Sequence, residues 1–134
     1  MLRRLVLTVS MACLLVSTSH ASTPPAEKAA AANIGFVLYT KSLSPGTLNA
    51  RWIYGETYRG PGLATGGPRE GYVGHYHVRY FLESGEFSDE YDLVIEKTGE
   101  VYHVSWITGG KVSAVGVGME GEQGLAVGWR RVAD

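Results

Sequence analysis

The chain has 134 residues, and its 12 Lys and Arg against 13 Asp and Glu exclude the strong basic field of a nucleic-acid-binding protein. A hydrophobic fraction of 45% against 19% charged residues excludes a wholly disordered polymer, and the length supports one core. The 18 glycines, beside 8 tyrosines and 3 tryptophans, favour short strands joined by tight turns.

The first residues have the pattern of an export signal. Met1–Arg4 is basic, Leu5–Val16 is apolar, and small residues precede a cleavage point after Ala21. The apolar stretch is shorter than the roughly 20 residues that span a bilayer. We therefore predict a signal peptide over 1–21, rather than a buried N-terminal helix, and a periplasmic or secreted protein without a transmembrane segment after cleavage. Cleavage would remove Cys13, the single cysteine, and leave no disulfide.

The remainder divides into a linker and one β-domain. Residues 22–33 are rich in proline and alanine without an apolar face, which predicts a linker, and the domain follows over 34–134. Apolar residues there alternate with period two. The pattern predicts eight strands: 34–40, 48–54, 57–65, 72–83, 86–97, 100–108, 111–119 and 123–132.

Two turns predict how the central strands pair. A turn at Ser84-Gly85 sets Tyr76 opposite Leu93 and Val78 opposite Tyr91. A turn at Thr98-Gly99 gives the pairs Ile95 with Tyr102, Leu93 with Val104 and Tyr91 with Trp106. Both turns place the same apolar set on one face, together with alternating residues of an earlier strand: Leu48, Ala50, Trp52, Tyr54, Tyr76, Val78, Tyr80, Tyr91, Leu93, Ile95, Tyr102, Val104 and Trp106. The other face is polar, with His75, His77, Arg79, Asp92, Glu96, His103 and Ser105, as in an antiparallel meander.

A weak repeat relates two halves of the domain. A shift of 54 residues superposes Trp52 on Trp106 and Gly62 on Gly116, with five further identities up to Gly74. Glycines inside strands, including Gly118, indicate bulges or strong coiling, as closure of a sheet requires. About eight strands close around a small interior. The sequence therefore predicts an all-β fold, a small single-domain antiparallel up-and-down β-barrel of about eight strands.

The same segments resemble a known group of proteins. Three segments (102–106, 116–119 and 125–129), with Trp52 and the glycine-rich 60–66 segment, resemble small exported bacterial proteins with lipocalin- or avidin-like barrels. The resemblance covers most of 48–132 and assigns no residue a role. It implies a small apolar or amphipathic ligand held in the barrel mouth.

Two groups of polar residues on the predicted outer face are better explained as solvated surface than as a metal site or a catalytic triad. The predicted register places His75 and His103 on either side of Val94, too far apart to share a metal ion. It also aligns His77, Asp92 and Ser105, but a hydrolytic triad needs histidine in the middle. We predict no catalytic residue, no metal site and no cofactor.

The aromatic interior supplies the candidate binding residues. Seven rings share the inner face: Trp52, Tyr54, Tyr76, Tyr80, Tyr91, Tyr102 and Trp106. These rings either fill the barrel or line a ligand-binding mouth, because buried hydroxyls need partners that a ligand could also supply. The pattern leaves both open. We expect the Trp106 ring to point inward against Tyr91, with Trp52 in the equivalent place of the other half.

Three functions follow as hypotheses. The first is an exported, non-enzymatic binding module for a small amphipathic or lipophilic ligand. The second is an envelope protein-interaction module or inhibitor with a protein partner, and the third is a barrel isomerase or cyclase. The third needs an ionisable group inside the barrel, and the inner face as predicted offers only tyrosines.

Overall fold

The computed structural model describes residues 33–132, and they form a closed barrel of eight antiparallel strands in chain order. The predicted signal peptide, and the linker up to residue 32, lie outside the described residues, as do residues 133 and 134. Each strand pairs with the next, and the last pairs with the first. The predicted up-and-down barrel is confirmed, with every strand end within two residues of its predicted position. The strands are β1 Gly35–Lys41, β2 Leu48–Tyr54, β3 Tyr58–Thr65, β4 Gly74–Phe81, β5 Phe87–Thr98, β6 Val101–Thr108, β7 Lys111–Glu120 and β8 Leu125–Arg131.

One of the two predicted registers is confirmed and the other is wrong by two residues. Between β4 and β5, Val78 lies opposite Tyr91, as predicted. Between β5 and β6, however, Trp106 lies opposite Leu93 rather than Tyr91. The reason is the turn: Gly99, with φ 59°, takes the first position of a two-residue loop and Glu100 the second. An even shift leaves every side chain on its predicted face.

The predicted inner face forms the core. Ten of its thirteen residues are buried, and Trp52, Tyr54 and Tyr91 are partly buried. Strands β1 and β8 add further inward residues, among them the fully buried Tyr39 and Leu125. The predicted polar face lies outside, where all its members are exposed except the half-buried Ser105.

The repeat corresponds to one strand pair that occurs twice. Trp52 on β2 lies opposite Gly60 on β3, and Trp106 on β6 lies opposite Ala114 on β7, so the two pairs have the same register. The bulges do not fall at the predicted glycines. They lie after Tyr80 and after Trp106. Gly62 instead makes room for a ring, because a Cβ there would lie 2.7 Å from the Tyr80 ring.

One end of the barrel is closed by the connection between β3 and β4. Tyr72 in this connection is buried, and its ring meets the Tyr102 ring edge-on at 6.4 Å between centroids. The Tyr76 hydroxyl donates to the Tyr72 carbonyl oxygen at 2.9 Å, and a side chain at Gly67 would overlap the Tyr76 ring. This end therefore has no room for a ligand. Within residues 33–132, no helix is both long and apolar enough to cross a membrane.

Candidate functional site

A cavity of about 350 Å³ lies at the other end of the barrel, where β1 begins and β8 ends. Its walls include all three tryptophans of the chain, Trp52, Trp106 and Trp129. Of the seven predicted binding residues, five line it: Trp52, Tyr54, Tyr80, Tyr91 and Trp106. Tyr76 and Tyr102 belong to the closed end instead. The interior is therefore packed in one half and hollow in the other.

An aromatic stack builds one wall of the cavity. The rings of Tyr54 and Trp129 are stacked at 5.0 Å between centroids with an interplanar angle of 16°. The guanidinium of Arg131 lies over the Tyr54 ring, 4.9 Å from its centroid. Asn33 fixes the stack, because its side-chain oxygen accepts from the Tyr54 hydroxyl at 3.1 Å and from the Arg131 backbone N–H at 2.9 Å. These side chains give the cavity an aromatic wall, which suits a largely apolar ligand.

Three hydrogen-bonding side chains meet at the deep end of the cavity. The Trp106 indole N–H donates to the Tyr80 hydroxyl oxygen at 2.7 Å, and the Tyr39 and Tyr80 hydroxyls are 2.6 Å apart. Tyr39 is fully buried, whereas Tyr80 and Trp106 line the cavity. Burial raises the pKa of both tyrosines well above the ordinary value, so both hydroxyls keep their protons at neutral pH.

The mouth of the cavity carries one carboxylate and one guanidinium. Asp89 and Arg131 both line it, and the Tyr91 hydroxyl donates to the Asp89 carboxylate. Burial, and then the bond to Asp89, raise the pKa of Tyr91. The expectation that tyrosines are the only ionisable residues on the inner face is therefore wrong. The ionisable group required by the isomerase hypothesis is present.

Trp106 and Trp52 have different roles, although the repeat relates them. The Trp106 ring points inward and is 3% exposed, as predicted. The predicted contact with Tyr91 is wrong, because the register shift places Trp106 opposite Leu93. The Trp106 ring lies instead 5.8 Å from the Trp129 ring of β8. The Trp52 indole N–H lies 3.2 Å from the Pro61 carbonyl oxygen and 3.1 Å from that of Phe81. It therefore links β3 to β4 beyond the end of their ladder, which stops at Gly62 and Tyr80.

The sequence interpretation missed several cavity residues, of which Asp89, Trp129 and Arg131 matter most. Parity was the available signal: Asp89 precedes the inward Tyr91 by two residues, and Arg131 follows Trp129 by two. Tyr39 could have been found in the same way, since it alternates with the buried Val37.

The outer polar residues form surface pairs. His77 lies 2.9 Å from Glu90 and 3.7 Å from Asp92, and Arg79 lies 3.7 Å from Glu90. The predicted row of His77, Asp92 and Ser105 is wrong, because Asp92 lies opposite Ile107. In the part of the chain that the structure describes, no three His, Cys, Asp or Glu side chains are grouped to hold a metal ion.

A second feature lies on the outer face of β1, β8 and β7. Gly128 lies opposite Phe36 on one side and Val117 on the other, and the space above it is empty. Phe36 is 48% exposed and Val117 59% exposed. The side chains of these neighbours, with Ile53 and Val115, border an apolar groove whose floor is Gly128.

No protein-family model, curated protein or solved structure matches this chain. The resemblance to exported lipocalin- and avidin-like barrels stays a prediction.

Proposed function

We propose that this protein is an exported, non-enzymatic binding module for a small amphipathic ligand. The observation that carries the proposal is the cavity of about 350 Å³, with its aromatic walls and polar groups at both ends. Ligand sites are typically concave, mostly apolar and equipped with a few placed polar groups. The stacked Tyr54 and Trp129 would hold a flat apolar body, and Asp89 and Arg131 would contact any polar group that the ligand carries at the mouth.

Intrinsic fluorescence tests the proposal directly, because every tryptophan of the chain lines the cavity. We expect a panel of lipophiles to contain compounds that quench this fluorescence saturably. Ala114→Leu, which fills the cavity, should abolish the effect. Val115→Leu, on the outer face of the same strand, is the matched control and should retain it. Quenching that survives in Ala114→Leu, or no saturable binding at all, would contradict the proposal.

The same experiment tests the isomerase alternative, for which Asp89 is the candidate ionisable residue in the cavity. A bound compound recovered unchanged after long incubation supports simple binding. If the bound compound is chemically converted, and Asp89→Asn abolishes the conversion while binding persists, the protein is an enzyme rather than a binding module. In that enzyme, Asp89 would act as the proton-transferring group.

Export rests on the N-terminal sequence and has its own test. We expect the mature protein from its own host to begin at Ser22 and to contain no cysteine. Mass spectrometry of the periplasmic and culture fractions measures both properties. A cell-associated chain that keeps residues 1–21 would contradict export.

The groove on the outer face favours a second candidate, a protein-interaction module. Exposed contiguous apolar surface of this kind marks interaction sites. Its ridges, such as Phe36 and Val117, and its Gly128 floor are complementary shapes on one molecule, so a second copy is the occupant that we propose. Sedimentation over a range of concentrations should show dimers that Val117→Lys removes. A wild-type protein that stays monomeric would contradict this candidate.

A further inference from the structure

The hydrogen bonds at the deep end of the cavity leave one proton unused. Tyr39, Tyr80 and Trp106 bring three donor hydrogens but only two acceptor oxygens. The Trp106 N–H uses the Tyr80 oxygen, and one hydroxyl hydrogen lies between Tyr39 and Tyr80. The other hydroxyl hydrogen has no acceptor within this cluster.

Burial decides which hydroxyl carries the unused hydrogen. If Tyr80 donated to Tyr39, the Tyr39 hydrogen would be enclosed without an acceptor, because Tyr39 is 0% exposed and the Tyr80 oxygen is the acceptor that the described residues offer to its hydroxyl. If Tyr39 donates to Tyr80, the remaining hydrogen belongs to a residue that lines the cavity. The second arrangement leaves no enclosed donor unsatisfied. The Tyr80 oxygen then accepts from both Tyr39 and Trp106, which polarises its own O–H.

We propose that the Tyr80 hydroxyl donates a hydrogen bond to the ligand in this cavity. The ligand is a flat, largely apolar molecule with a neutral carbonyl group, the acceptor of this bond, at its buried end. This inference rests on the proposed function. The Tyr80 hydroxyl can satisfy an acceptor oxygen, and the aromatic walls surround the rest of the molecule. A carboxylate is disfavoured there, because Arg131, the cation that lines the cavity, lies at the mouth and a buried unpaired charge is costly.

Two probes of the same shape isolate the contribution of this hydrogen bond. Acetylnaphthalene carries a ketone, and isopropenylnaphthalene has a CH₂ group in place of the ketone oxygen. Titration calorimetry gives the ratio of their dissociation constants. We expect wild type to favour the ketone about three- to ten-fold more than Tyr39→Phe/Tyr80→Phe/Trp106→Phe does, which is the worth of one hydrogen bond. The triple variant is used because Tyr80→Phe, alone or with Tyr39→Phe, would free the Trp106 N–H, and this donor also lines the cavity and would itself bind the ketone.

Tyr72→Phe is the matched control, since it removes a tyrosine hydroxyl at the closed end of the barrel, away from the cavity, and should leave the ratio at its wild-type value. The infrared carbonyl stretch of bound acetylnaphthalene gives a second readout. It should lie lower in the wild-type complex than in the triple-variant complex. An unchanged ratio or stretch with both probes bound would overturn the donor role of Tyr80 and leave the binding module standing. Tighter binding of naphthoate than of the ketone would overturn the inference that the ligand carries a neutral carbonyl at its buried end. Failure of every probe to bind would count against the binding function itself.

Discussion

Removal of single hydroxyl oxygens from the deep cluster should have very unequal effects on stability. In Tyr39→Phe, the Tyr80 oxygen still accepts from Trp106, so the change removes one net hydrogen bond, about 0.5–1.5 kcal/mol. In Tyr80→Phe, both the Tyr39 hydroxyl and the Trp106 N–H lose their acceptor. At about 1–3 kcal/mol for each buried unsatisfied donor, the loss is about 2–6 kcal/mol. This is a large part of the roughly 5–15 kcal/mol that stabilises a typical domain.

The double variant Tyr39→Phe/Tyr80→Phe separates the contributions of the two donors. Tyr39→Phe/Tyr80→Phe leaves only the Trp106 N–H without an acceptor, so it should lose about 1–3 kcal/mol and be more stable than Tyr80→Phe alone. Urea denaturation followed by tryptophan fluorescence measures all three variants, with equal m-values as the condition for comparison. Tyr58→Phe is a control, because Tyr58 is 61% exposed, and should change stability by less than about 0.5 kcal/mol. A Tyr39→Phe loss equal to that of Tyr80→Phe would refute the assigned direction of the hydrogen bond.

Three further predictions concern the rest of the barrel. Trp106→Ala should lose about 3–5 kcal/mol, because it removes a buried ring from the core, and a loss below about 1 kcal/mol in the same assay would contradict this role. Gly60→Ala should cost about 1–3 kcal/mol, because its methyl group would overlap a carbonyl oxygen of β4, while Gly128→Ala has open space and should be near neutral. Burial and the adjacent Glu120 raise the pKa of Tyr102 from 10.0 to about 12. The fold therefore favours the protonated hydroxyl, and this stability is complete below about pH 10 and lost as the pH rises through 12. Tyr102→Phe should flatten the alkaline stability profile in that range, and an unchanged profile would contradict the assignment.

The sequence by itself determined the strands, their faces and the closed barrel. Alternation with period two is a local property, so Tyr76, Val78 and Tyr80 are recognisable as inward whatever lies opposite them. The turn glycines located the hairpins. The face assignments survived the error at Gly99 because a shift by two residues preserves parity.

The tertiary structure alone decided where the interior is hollow. Tyr76 and Tyr80 lie on one face of one strand, yet the connection between β3 and β4 closes the barrel over Tyr76 and leaves the end near Tyr80 open. Nothing local to either tyrosine distinguishes them. The contact between Tyr39 and Tyr80 joins residues 41 positions apart and crosses the interior, so no turn or periodicity predicts it. The hydroxyl hydrogen that remains for the cavity also depends on this contact. If the enclosed Tyr39 donates to Tyr80, the remaining hydrogen is that of Tyr80.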